Sequence, residues 1–187
     1  MITYSSKGLA FIKAQEGFHA TPTLNYRGQL IIGYGHPAED GQTSITEEEA
    51  HDLLLKDLKM PIKEVIQKIQ FVEFYAFFGR REDRKSFDYS WFKSFSKIQN
   101  RFDAMLSIRF SCPKKEFSDS VFICSLFNGL PDDVLAHNIN RLIYIPDPKN
   151  PDVRIPSQYL ISRRQQESEY FLKKPRSILS SPPTKRL

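Results

Sequence analysis

The chain has 187 residues, 40% of them hydrophobic, and a formal net charge of +5; this fits one domain with a sizeable core and excludes wholesale disorder. No apolar run reaches the ~18 residues needed to cross a bilayer, and Met1-Ile2-Thr3-Tyr4 opens no signal-peptide hydrophobic region, so a chain made as a soluble cytoplasmic protein is expected. The charge does not indicate nucleic acid: Lys173, Lys174, Arg176, Lys185 and Arg186 supply the whole excess, and residues 1–172 balance to zero, whereas a nucleic-acid binder carries its basic footprint on the folded domain.

Along the chain, Ser5 or Ser6 can cap a first helix running to Glu16, with Leu9, Ile12 and Phe11 facing inward. Residues 21–34 hold two short extended runs around Arg27-Gly28, a small hairpin-like sheet. Thr46-Glu47-Glu48-Glu49 is a capping box, and the helix that it starts should bury Ala50, Leu53, Leu54 and Leu58. Pro61 kinks that helix or begins a new turn, after which Ile62, Val65, Ile66 and Ile69 continue the stripe. Residues 71–97 carry a weak signal, aromatics flanking a charged knot, and predict a loop-rich insertion with some helix. Helices are predicted over 99–109, 121–127 and 134–142; Pro146, Pro148, Pro151 and Pro156 predict a loop, and Ser157 opens a last helix to Leu172. Residues 173–187, rich in Pro and Ser as well as basic, read as a disordered tail.

Few residues suggest chemistry. Glu16 ends an amphipathic helix just before the small sheet, where apolar neighbours would raise the pKa of a general acid. His36 closes the string Gly33-Tyr34-Gly35-His36 and reads as a histidine structuring a turn. Cys112 and Cys124 read as buried thiols; with four scattered histidines they offer no ligand spacing, so neither metal nor cofactor is expected.

Several strings follow one another in a definite order: Ser6-Lys7-Gly8-Leu9, Gln15-Glu16-Gly17-Phe18, Gly28, Ile32-Gly33-Tyr34-Gly35-His36, Ile45-Thr46-Glu47-Glu48-Glu49-Ala50 and Asp57-Leu58. Further on come Arg101-Phe102-Asp103-Ala104-Met105-Leu106-Ser107, then Leu160-Ile161-Ser162-Arg163-Arg164 with Glu167. Together they resemble the phage-type lysozymes, the endolysins of glycoside hydrolase family 24. The resemblance implies a mainly helical α+β fold over 1–172, two-lobed, with a small N-terminal β-sheet and a helical C-terminal lobe. It also implies cleavage of peptidoglycan between N-acetylmuramic acid and N-acetylglucosamine by a Glu-x8-Asp-x5-Thr set. Glu16 fits the first position, but the Asp position is Asn25 and the Thr position is Ile31. Gly28, Tyr34 and His36 would be structural residues of the cleft.

These departures predict a lysozyme-like protein whose muramidase activity is lost or nearly lost. Its cleft would be reused for peptidoglycan strands or a protein partner, as in a secreted bacterial effector or a phage-derived accessory protein. A specialised secretion or lysis system would export it, with no membrane insertion. The alternative is an active muramidase using Glu16 as acid and a non-standard second group, His36 being the titratable neighbour. The aromatics of the insertion, Trp91 and Phe92 among them, read as packed into the helical lobe or as a partner surface assisted by the basic tail.

Overall fold

The computed structural model describes residues 3–78 and 99–173, with residues 72–78 as helix backbone. Helix α1 (Ser6–Glu16) starts at Ser5, whose Oγ accepts from the Gly8 amide at 2.9 Å. The same serine ties α1 to the rest of the chain: its amide and hydroxyl donate to the buried Asp103 carboxylate at 3.0 and 2.5 Å. Inward-facing Ile12 is fully buried, while Phe11 stacks on Tyr170 with ring centroids 4.5 Å apart.

Strands β1 (His19–Leu24), β2 (Leu30–Gly33) and β3 (His36–Pro37) form an antiparallel sheet in that order, with an irregularity in β1 between His19 and Thr23. Helix α2 (Glu47–Asp57) starts with the capping box read from the sequence: the Glu49 amide donates to Thr46 Oγ1 and the Thr46 amide to Glu49 Oε2. Those contacts pull the Glu49 carboxyl below its usual range, chiefly through the Thr46 amide bond. Ala50, Leu54 and Leu58 are buried and Leu53 partly so.

Helix α3 (Lys59–Phe78) is separate from α2, interrupted at Leu58. Pro61 therefore sits in a first turn, where its missing N–H costs nothing. The helix continues to Phe78, so the segment from 71 onward, expected to be loop-rich with some helix, begins as helix. Trp91 and Phe92, with the rest of 79–98, lie outside the described residues, as does the tail from 174 onward.

The helical lobe is built around α4 (Gln99–Ser111), whose residues 101–108 are all buried. A helix covered on every side must be surrounded, and α1, α3 and α8 (Gln158–Leu172) pack on it. The short α5 (Lys114–Ser118), α6 (Val121–Phe127) and α7 (Asp132–Ile139) complete the lobe. Phe117, Phe122, Leu126, Leu135 and Phe171 join Met105 and Leu106 in one core with Leu54, Leu58 and Val65 of α2 and α3; each such side chain contributes about 1.5–3 kcal/mol by leaving water.

Two expectations are corrected. The proline-rich stretch is a hairpin, β4 (Tyr144–Asp147) against β5 (Asn150–Pro156). Both strands of a two-stranded ribbon are edges, where a proline can point its missing donor away from the ladder. Of the two cysteines, Cys112 is buried but Cys124 is exposed on α6.

Candidate functional site

Glu16 is the last residue of α1, and Gly17 turns the chain from there into β1. Across from it, Gly35 has φ +90°, and a Cβ there would stand 3.2 Å from Glu16 Oε2. Glycine at this point thus lets the β2–β3 turn lie against the carboxylate. The side chain borders a cavity of about 260 Å³ whose walls include Asn25, Tyr26, Gly35, Asp57 and Ser111.

The expected apolar surround of Glu16 is replaced by a buried cation. Arg163 of α8 places Nη2 2.6 Å from Glu16 Oε1 and is itself only 1% exposed. It also donates to Glu167 at 3.0 Å, the Tyr159 hydroxyl at 2.9 Å and the Ser107 carbonyl at 3.2 Å. Burial works against the Arg163 charge, but Glu16 and Glu167 outweigh it and hold the guanidinium above its ordinary range. Tyr159 in turn donates to the Gln15 carbonyl at 3.0 Å, and its burial pushes the phenol up.

Asn25 closes a turn. Its Oδ1 accepts from the amides of Arg27 and Gln29 at 2.8 and 3.0 Å, and its Nδ2 donates to Gln29 Oε1. An aspartate could accept the same two amide bonds, so the geometry suits either residue while the charge differs. Gly28, with φ +74° and open space around it, gives this turn the left-handed step it needs. Ile31 is buried in β2, paired with Thr23 on one side and Pro37 on the other, outside the cavity wall.

Tyr34 is buried and donates to Glu47 at 2.7 Å; burial and that carboxylate push its phenol up to about 12. His36 places Nδ1 2.8 Å from Asp57 Oδ2, joining β3 to the end of α2. Neither Tyr34 nor His36 lines the Glu16 cavity.

Four neighbours of Glu16, namely Asp57, Arg163, Tyr26 and Tyr159, are not among the site residues expected from the sequence, although Asp57 and Arg163 stand in the strings that carry the resemblance. The Arg163-Arg164-x-x-Glu167 spacing was a signal for the second, since it sets both arginines within helical reach of one acid. Tyr26 joins the lobes, its hydroxyl donating to the Ser111 carbonyl at 3.0 Å and its ring stacking on Tyr159 with centroids 4.7 Å apart. Beside it, Arg27 reaches to 4.0 Å from Glu116. Among the described residues no cluster of His, Cys, Asp and Glu could hold a metal ion, and no helix is long and apolar enough to cross a membrane.

The chain combines a small sheet, a carboxylate at the end of the first helix and a helix-rich second lobe around a buried central helix. Residues 13–76 match the phage lysozyme family. The muramidase domain of SpmX from Asticaccaulis excentricus superposes with a TM-score of 0.68 at 22% identity, covering 93% of this chain and 100% of that one. The endolysin of Escherichia coli O157:H7 phage FAHEc1 gives 0.66 at 24% identity, over 91% and 93% of the two chains. A mutant P22 lysozyme gives 0.58 at 24%, over 92% and 100%. No curated protein matches the sequence. The chain has the phage-lysozyme fold, and the resemblance read from its motifs stands.

Proposed function

We propose that this chain is a peptidoglycan-binding protein on a lysozyme frame, with muramidase chemistry lost or nearly lost. The observation that carries the reading is Asn25, which shares the Glu16 cavity and spends its side-chain oxygen on two amides of its own turn. Glycoside hydrolysis uses two carboxyl groups, one to protonate the leaving oxygen and a second to activate water or act as nucleophile. An amide has negligible basicity, and loss of one general base removes roughly 10²–10⁴-fold of rate, about 3–5 kcal/mol of barrier lowering. Glu16 moreover contacts the Arg163 guanidinium, which orients it as part of a structural network. Peptidoglycan lies outside the cytoplasmic membrane, so a secretion or lysis route belongs to this reading, as for an effector or a phage accessory protein.

A second reading is favoured by one observation: Asp57 lines the same cavity. With His36 bonded to it, Asp57 could supply the missing second carboxylate of an active muramidase. Muropeptide release from purified cell walls separates the readings. The binding reading expects wild type and Glu16→Gln to be equally inactive while both pellet with insoluble peptidoglycan. Asn25→Asp, which returns a second carboxylate to the wall of the Glu16 cavity, should bring release above background. Robust wild-type release that is abolished by Glu16→Gln and by Asp57→Asn establishes the second reading instead.

A further inference from the structure

The Glu16 cavity has walls from both lobes: Asn25, Gln29 and Gly35 on the sheet side, Phe110 and Ser111 at the end of α4 on the helical side. Tyr26, in the turn between β1 and β2, spans the gap between them. Its hydroxyl donates to the Ser111 carbonyl at 3.0 Å, and its ring stacks on Tyr159 of α8 with centroids 4.7 Å apart, a separation at which ring pairs attract. The next residue, Arg27, donates through Nε to the Tyr26 hydroxyl at 3.1 Å and places Nη2 4.0 Å from Glu116 of α5. One short turn is thus tied to three helices of the other lobe.

Both ends of this strap are held. On the sheet side, Asn25 Oδ1 accepts from the Arg27 and Gln29 amides, and the Asn25 amide donates to the Gln29 carbonyl at 2.9 Å. On the helical side, Ser111 Oγ accepts from Arg164 Nη2 at 2.7 Å and donates to the Ile108 carbonyl at 3.1 Å. The strap therefore lifts only by breaking contacts to several elements at once. Arg27 and Ser111 line the Glu16 cavity, of about 260 Å³, and also a second cavity of about 490 Å³. The tie from Tyr26 to Ser111 accordingly lies between the two spaces and interrupts the groove between the lobes. The space left beside Glu16 is smaller than the roughly 300–1,000 Å³ of drug-sized ligand sites. It has room for the end of a glycan and not for a run of sugars passing through.

We propose that the Tyr26 strap makes the Glu16 cavity selective for the ends of glycan strands, admitting a terminal sugar and excluding the interior of a continuous strand. The inference rests on the peptidoglycan-binding reading and specifies which part of the polymer is held. A sugar in a strand interior continues on both sides, and the bond from Tyr26 to Ser111 lies across that path. A strand end stops in front of it. Asp57 and Gln29 offer the hydroxyls of such a sugar polar partners, and Phe110 offers its ring an apolar surface.

The test is calorimetric titration of the full chain with peptide-free peptidoglycan strands fractionated by length, and with the disaccharide fragment, reading stoichiometry beside affinity. Wild type should bind in a fixed number of copies per strand whatever the strand length, and the fragment should compete with long strands in proportion to the molar amount of ends. Tyr26→Ala with Arg27→Ala removes the bond, the stack and the ion pair together; the number of copies bound per strand should then rise in proportion to strand length. Tyr26→Phe keeps the stack and loses only the bond to Ser111, so it should show a smaller rise with an unchanged circular dichroism spectrum, and it carries the test if the double variant does not fold. Wild-type stoichiometry that grows with strand length overturns the inference and leaves the binding reading intact. A folded variant of either kind whose stoichiometry stays fixed overturns it as well. Binding of neither strands nor fragment overturns the peptidoglycan reading, and this inference with it.

Discussion

Arg163→Met tests whether the buried network behind Glu16 is structural. The wild-type side chain is 1% exposed and serves Glu16, Glu167, the Tyr159 hydroxyl and the Ser107 carbonyl. Methionine fills much of the volume but donates to none of them. Glu167, itself fully buried, keeps Arg164 and Ser107 as partners; Glu16 loses the cation against which it rests. Removing one partner of a buried ion pair costs about 3–5 kcal/mol, a large share of the roughly 5–15 kcal/mol that holds a domain folded. With a urea slope of about 2 kcal/mol/M, the midpoint followed by circular dichroism should fall by about 2 M. Glu16→Gln keeps an acceptor for Arg163 and should cost only about 1 kcal/mol. A double-mutant cycle between the two positions should return a coupling of about 1–3 kcal/mol. A loss below 1 kcal/mol for Arg163→Met, or a coupling near zero, would refute the view that this arginine anchors Glu16 to the helical lobe.

Other outcomes follow from the same contacts. A Cβ on Gly8 would stand 2.2 Å from Asp103 Cγ, so Gly8→Ala should lose about 1–3 kcal/mol to overpacking despite alanine's better helix propensity, seen as a lower melting temperature. A thiol reagent at neutral pH should label Cys124 quickly and Cys112 only after unfolding, since Cys112 is buried and its thiol raised to about 11; prompt labelling of both would contradict that packing. Cys112 and Tyr34 hold their protons more tightly when folded, with values raised from 9.0 to about 11 and from 10.0 to about 12. Their contribution is therefore complete below pH 9 and is lost as pH rises to 12, so urea midpoints should fall across that window. Tyr34→Phe should flatten the upper part of the fall, and an unchanged profile would show that Tyr34 titrates normally. Gly35→Ala, strained by φ +90° and by the 3.2 Å approach to Glu16 Oε2, should weaken glycan binding along with stability, read by pull-down on insoluble peptidoglycan.

The sequence determined the features whose causes are local. Ser5, Thr46 with Glu49, and Ser157 cap α1, α2 and α8 where they were read, because each bond links residues three apart along the chain. The 3.6-residue stripe likewise marked Ile12, Leu54, Leu58 and Val65 as core. The absence of an acid at residue 25 was plain from a count along the chain. Tertiary structure alone decided which distant groups meet. Arg163 reaches Glu16 because α8 packs on α4, and Asp57 enters the Glu16 cavity because α2 ends beside β3. The hairpin of β4 and β5 was hidden because its prolines signal a break, and only the pairing partner shows that their missing donors are tolerated. Cys124 faces solvent while neighbouring Ile123 is buried, since composition states that a residue can be buried and packing decides whether it is.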